Sequence, residues 1–250
     1  MSARDWDAST YERVSDPQVE WARQVLDRLP LRGDETVLDA GCGTGRVTQL
    51  LLERLPRGRV VAVDAAPAMV EAASAALGER ATVFQADLME LRLDEPVDAA
   101  FSNAVFHWVP DHERLFERLH DALRPGGRLV AQCGGRGNIA AFHELAAEVG
   151  REEPFEEHLA EWEGPWNFAG PEETRERLER AGFVDVDTSL QDWPVVPDEP
   201  RDYVRTVVLG YHLLRLPEEL RDRYVDAVVE RAGPRPTLGY VRLNIAARRA

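Results

Sequence analysis

Short runs of adjacent apolar residues, such as ETVLDAG, RVVAVDA, ATVFQAD, VDAAFSNA and RLVAQCGG, alternate through the first 135 residues with stretches where apolar positions recur every three or four. The first kind reads as strands buried on both faces, the second as amphipathic helices packed on them. Helices are predicted over DPQVEWARQVLDRLP, with Asp16 as N-cap and Pro17 in the first turn, and over RVTQLLLERLP. Two more are predicted over APAMVEAASAALG, ended by Gly78, and DHERLFERLHDALRPGG, capped by Asp111 and stopped by Pro-Gly-Gly. Strictly alternating strand and helix predict an α/β fold with a mostly parallel sheet.

Beyond Gly134 the period is helical and the composition acidic. RGNIAAFHELAAEVGREEPFEEHLAEWEGPWNFAG separates the fifth strand from the helix PEETRERLERAG and the strand FVDVDTSLQDWPVV. A second helical block, Glu199 to Gly233, precedes a last strand, GYVRLNIAARR. The predicted division is a core at 1–134, a cap insertion at 135–170, core helix and strand at 171–198, a second cap block at 199–233 and a final core strand at 234–250. The two blocks are expected to pack together over the carboxyl ends of the strands, where open α/β sheets bind ligands.

Composition narrows the partners. The chain has 250 residues, 44% hydrophobic, enough for one sizeable core. Its formal charge of -15 disfavours nucleic acid, whose binding rests on neutralising phosphates with cations. All 30 basic residues are arginine. The polar start MSARDWDASTYERVSD does not look like a signal peptide, and no apolar run reaches the roughly 20 residues a membrane helix needs, so a cytoplasmic protein without membrane association is expected. Cys42 and Cys133 have neither CxxC spacing nor a nearby histidine, so they are expected to be reduced thiols, and no metal site is expected.

Candidate chemistry concentrates in VLDAGCGTG, Val37 to Gly45, between a predicted strand and helix. Glycines there permit a sharp turn and close approach of a ligand, while the following helix start favours a negative group. The spacing is GxGxG, with Arg46 where a dinucleotide fingerprint requires its third glycine, so a nicotinamide cofactor is disfavoured. The second strand ends at Asp64, where a carboxylate can accept both ribose hydroxyls. The third ends at Asp87, where a carboxylate and the Leu88 backbone can address an adenine amino group. Each feature alone also fits a plain turn or cap; together, in order at successive strand ends, they point to a nucleoside.

VLDAGCGTG, VVAVDAAPAMV, ADLMEL and LRPGGRLV resemble, in order and spacing, the motifs of class I S-adenosylmethionine-dependent methyltransferases. The resemblance implies a Rossmann-like seven-stranded sheet with an antiparallel last strand, and S-adenosyl-L-methionine as cofactor. It places the Gly41–Gly45 loop, with Gly41, Cys42, Gly43 and Gly45, toward the methionine part, Asp64 toward the ribose and Asp87 with Leu88 toward the adenine, and counts Asp39, Ala65 and Met69 among the cofactor-binding residues. Asn103 and Ala104 would run beside the methionine end.

Within that superfamily DWDASTY and FSNAVFHWVPDHERLF are similar to segments of the trans-aconitate 2-methyltransferases and related carboxyl O-methyltransferases, which implies a small-molecule carboxylate as methyl acceptor. Tyr11 would close over the cofactor, and Trp6, His107, Trp108, Arg136, Trp166, Arg205 and His212 would face the acceptor. Arg205, Leu209 and His212 are spaced to share one helix face. Trp162, Trp166 and Phe168 fit either an apolar pocket wall or a small cap core. The crowded glutamates from Glu152 to Glu163 make a multiply charged anion uncomfortable. If the acceptor is instead a hydroxyl, amine or carbon, His107 would serve as catalytic base; a non-catalytic cofactor sensor is the third reading. His107 and Trp108 are expected to point apart, one into the pocket and one into packing, and the assembly is expected to be a monomer or homodimer.

Overall fold

The computed structural model describes residues 16–250, so Trp6 and Tyr11 lie outside the described residues. Seven strands form one sheet: β1 Thr36–Ala40, β2 Arg59–Asp64, β3 Ala81–Gln85, β4 Val97–Asn103, β5 Leu123–Gly134, β6 Phe183–Val195 and β7 Leu238–Arg249. Their order is β3-β2-β1-β4-β5-β7-β6. The pairs among β1 to β5 are parallel, and β7 runs antiparallel to both its neighbours. The expected mostly parallel sheet with an antiparallel last strand is therefore present.

The sheet's period of two divides the core between its faces. Leu38 and Ala40 of β1, with Leu129, Ala131 and Cys133 of β5, pack under helices α4 (His112–Ala122) and α6 (Pro171–Arg180). Val37 and Val130 face the other way, against α1 (Asp16–Asp27), α2 (Arg46–Glu53) and α3 (Pro67–Leu77). Asp111 caps α4 as expected, its Oδ1 accepting from Arg114 N at 3.0 Å. One boundary differs: LRPGG lies within β5, because Leu123 pairs with Val97 and the register shifts before Ala99 pairs with Arg128. Gly126, at φ +78°, supplies the left-handed residue of that irregularity.

A separate apolar cluster unites the two helical blocks. Phe142, Ala146 and Val149 of α5 (Ala140–Gly150) meet Tyr224, Val225 and Val228 of α7 (Glu218–Ala232), together with Tyr203 to Leu213 between them. Trp21 of α1 and Tyr240 of β7 join this cluster and connect it to the sheet. Residues Val204–Val208 are π-helical, with Leu209 N bonded to Val204 O at 2.8 Å. Among the described residues no helix is long and apolar enough to cross a membrane.

Candidate active site

Parallel register brings the ends of β1, β2, β3 and β4 to one edge of the sheet: Ala40 pairs with Val63, and Asp64 with Gln85. The chain leaves β1 through the glycine loop, and the amides of Gly41 and Cys42 both bond Val63 O, at 2.8 and 2.9 Å. Gly41 has φ +88°, and a Cβ there would lie 2.2 Å from Val105 Cγ2. Gly43, at φ +55°, is different: a Cβ there would meet nothing within 4 Å. One glycine is needed for packing, whereas the other faces open space. Gly45, at φ +84°, is the N-cap of α2.

The carboxylate of Asp64 closes against this loop. Its Oδ2 accepts from Gly43 N at 2.9 Å and its Oδ1 from Ala66 N at 2.9 Å. Two features 21 residues apart in sequence are thus hydrogen-bonded. Burial raises the Asp64 pKa, and the backbone amides oppose the rise. Asp39 is deeper, 2% exposed, and accepts from Thr48 Oγ1 at 2.6 Å. Burial, with a smaller push from Asp64, moves its pKa up to about 7, although the Thr48 bond works against this. Ala65 is exposed and Met69 buried in the first turn of α3. Asp87 is exposed, its Oδ1 capping the turn Leu88–Glu90 through Met89 N at 2.9 Å, while Leu88 packs into the core. Cys42 lies in the glycine loop, and burial raises its pKa and that of Cys133.

At the end of β4, Asn103 pairs with Gln132 of β5. Ala104 then takes φ +62° and bonds Gln132 O at 2.7 Å, a left-handed conformation that costs about 1–2 kcal/mol for an L residue. The strained corner directs the 3₁₀ turn Phe106–Trp108 back across the edge. His107 is 8% exposed, and its Nδ1 accepts from Gly134 N at 3.2 Å. Burial, followed by the charges of Arg242 and His112, lowers its pKa well below the ordinary imidazole value. The neutral ring thus carries its proton on Nε2, and its single lone pair is already engaged, so His107 is built as a donor rather than as a base. Its ring centroid lies 4.6 Å from that of Trp108, so the two side chains share one cluster instead of pointing apart.

That cluster continues into the cap. Trp108 stacks on Tyr211 at 5.1 Å; Trp166 stacks on His143 at 4.3 Å and lies 5.6 Å from His212. Burial holds His143 and His212 at pKa values of about 4 and about 3. The two expected arginine anchors both make ion pairs at the surface. Arg136 is 60% exposed and pairs with Glu173 at 3.1 Å. Arg205 pairs with Asp222 of α7 at the surface. Arg205 lies within the π-helical residues Val204–Val208, where the 3.6-residue spacing that predicted one face for Arg205, Leu209 and His212 does not hold.

A buried cation went unrecognised in the sequence. Arg242 of β7 is 2% exposed, its guanidinium carbon 4.4 Å from the centre of the Trp21 ring and its Nε bonded to Gln132 Oε1 at 3.2 Å. It pairs with Gly134, the residue that bonds His107. Asn244 continues the network to Gln132 at 2.8 Å and Arg28 at 2.7 Å. The signal was present in VRLNI: polar residues at alternate positions of a strand that is apolar on its other face. Among the described residues no group of three or more His, Cys, Asp or Glu is arranged to hold a metal.

Residues 37–127 match the model of a methyltransferase domain family. The chain is 33% identical to a trans-aconitate 2-methyltransferase of Rhizobium etli over 240 residues, covering 90% of this chain and 89% of the relative. A second, from Azoarcus sp., is 39% identical over 161 residues, covering 64% of this chain and 58% of the relative. The matches to the Azoarcus and Methylobacterium nodulans relatives thus span about three-fifths of those proteins (58% and 60%). Among solved structures, a phosphoethanolamine N-methyltransferase 2 of Haemonchus contortus superposes with TM-score 0.64 at 19% identity, over 97% of this chain and 56% of that one. The [4+2]-cyclase SpnF superposes with TM-score 0.59 at 20% identity, over 92% and 80%. Likeness at this level establishes the fold and leaves the reaction to the site.

Proposed function

Because the chain belongs to the class I S-adenosylmethionine-dependent methyltransferases, we propose that it transfers a methyl group to a carboxylate oxygen of a small molecule. The open face of Gly43 beside the Asp64 carboxylate fits the cofactor: Asp64 would hold the ribose, the Gly41–Gly45 backbone the methionine part, and Asp87 with the Leu88 amide the adenine. When bound, S-adenosylmethionine supplies a methyl group already activated on a sulfonium.

The engaged lone pair of His107 carries the choice of acceptor. A hydroxyl or amine must lose a proton during methylation; the lone pair of His107 is engaged by Gly134 N, and burial makes His143 and His212 weak bases. A carboxylate is already ionised at neutral pH and asks only to be held and aligned. His107 Nε2–H would donate to it, and the buried charge of Arg242 favours an anion at this edge. The aromatic wall would exclude water. A trans-aconitate 2-methyltransferase as a relative across 90% of the chain agrees with this chemistry.

Calorimetry with S-adenosylmethionine and S-adenosylhomocysteine tests the cofactor, and labelled methyl transfer followed by mild base tests the acceptor atom. Micromolar binding and a base-labile methyl are expected. A base-stable methylated product would instead identify a hydroxyl, amine or carbon acceptor.

A further inference from the structure

The cap side of the site carries a second kind of information. Trp166 and Phe168 are parallel to within 6° at 6.1 Å, and Phe168 faces His107 at 5.8 Å. Trp108, His143, Trp166, Phe168 and Tyr211 are each partly exposed, so this run of rings is not sealed into a closed core. Flat ring faces attract flat ligands, by burial and by their quadrupoles. Two polar points interrupt the wall. His143 Nε2 and His212 Nδ1 are buried without a hydrogen-bond partner among the described residues, and His212 is only 5% exposed.

Charge restricts the ligand further. Arg136 and Arg205 are engaged at the surface, and Glu156, Glu157 and Glu161 are exposed on the same cap. Burial keeps His143 and His212 neutral, so they can hydrogen-bond a ligand but not neutralise it. A second or third carboxylate placed along this wall would lose its water and face neutral rings, a costly exchange.

We infer that the acceptor is an aromatic acid with a single carboxylate, its ring against the Trp108–Trp166–Phe168 wall and its carboxylate toward His107, rather than a polycarboxylate. This rests on the carboxyl-methylation reading above and names its substrate class. A polar ring substituent would find its partners at His143 and His212.

The test titrates the full chain, loaded with S-adenosylhomocysteine, with cinnamate and with trans-aconitate in a calorimeter, and then assays both acids for labelled methyl ester. Cinnamate is expected to bind at least about tenfold more tightly, the size of effect that aromatic contacts supply, and to give a base-labile ester. Trp166→Leu should weaken cinnamate binding by about fivefold or more while S-adenosylhomocysteine affinity stays within about twofold, and Trp166→Phe should restore it. Trans-aconitate bound as tightly as cinnamate and esterified would overturn the aromatic class while leaving carboxyl methylation standing. If neither acid is esterified by protein that still binds S-adenosylhomocysteine, both readings fail. Unchanged cinnamate affinity in Trp166→Leu would remove the wall from the acceptor site and the inference with it.

Discussion

Two glycines of one loop separate folding from binding. In Gly41→Ala the new methyl collides with Val105 at a left-handed residue, so strain and overpacking together should cost about 2–4 kcal/mol of stability. Gly43→Ala adds only the backbone cost, about 1 kcal/mol, because its methyl enters open space. That space is where the cofactor is proposed to lie, so urea melts should rank Gly41→Ala as the less stable variant. Calorimetry should show Gly43→Ala losing S-adenosylmethionine affinity by about tenfold; retained affinity would move the cofactor off this loop. Asp39 adds a pH test at the same scale. Its folded pKa of about 7 lies above the ordinary aspartate value, so the folded state keeps a proton that the unfolded chain releases. Stability from this group is therefore present at low pH and lost as pH rises from about 4 to about 7. Asp39→Asn, which retains an acceptor for Thr48, should gain about 1–3 kcal/mol relative to wild type between pH 4.5 and 8. A difference that does not vary with pH would show that Asp39 is not held protonated.

At the scale of elements, Tyr224 on α7 donates to Ala146 O on α5 at 2.7 Å, a buried bond joining the two helical blocks. Tyr224→Phe should therefore cost about 1 kcal/mol, read by thermal or urea unfolding, and a neutral result would leave the junction to apolar packing alone. Strand and helix identities were readable because each buried face stamps its period on the chain, as in the alternation of Val37, Leu38 and Ala40 between two cores. The start of β5 was not readable, since Leu123 becomes a strand residue only by pairing with Val97, 26 positions earlier. The π-helical turn was equally silent. Seven residues from Arg205 to His212 predict one helical face, and nothing local in VRTVV announces the π-helical spacing. The glycine loop and Asp64 were legible because a strand–helix–strand unit fixes their spacing, whereas Arg242 owes its burial to Trp21 and Gln132, from distant parts of the chain.

Across the whole molecule, acid acts in opposing directions. Lowering the pH relieves the repulsion implied by a formal charge of -15 and reprotonates Asp39, and both changes favour the fold. The buried histidines act the other way. His143 and His212 have folded pKa values of about 4 and about 3, below an unfolded value near 6.5. The unfolded chain binds more protons throughout that window, so their contribution is fully present above about pH 6.5 and is lost as pH falls through the folded values. Both rings belong to the cap wall, so the loss should appear first as exposure of α5 and α7 in hydrogen exchange, before the parallel sheet opens. Unfolding free energies measured between pH 6 and 4.5 isolate this effect from the opposing charge terms when wild type is compared with a His143→Asn, His212→Asn double variant. Each histidine should add up to about 1.4 kcal/mol per pH unit to the wild-type slope. Identical slopes in the two proteins would mean that these imidazoles titrate in the folded cap much as they do in the unfolded chain. The wall would then offer charge as well as hydrogen bonds to an anionic acceptor, and its preference for a singly charged acid would weaken accordingly.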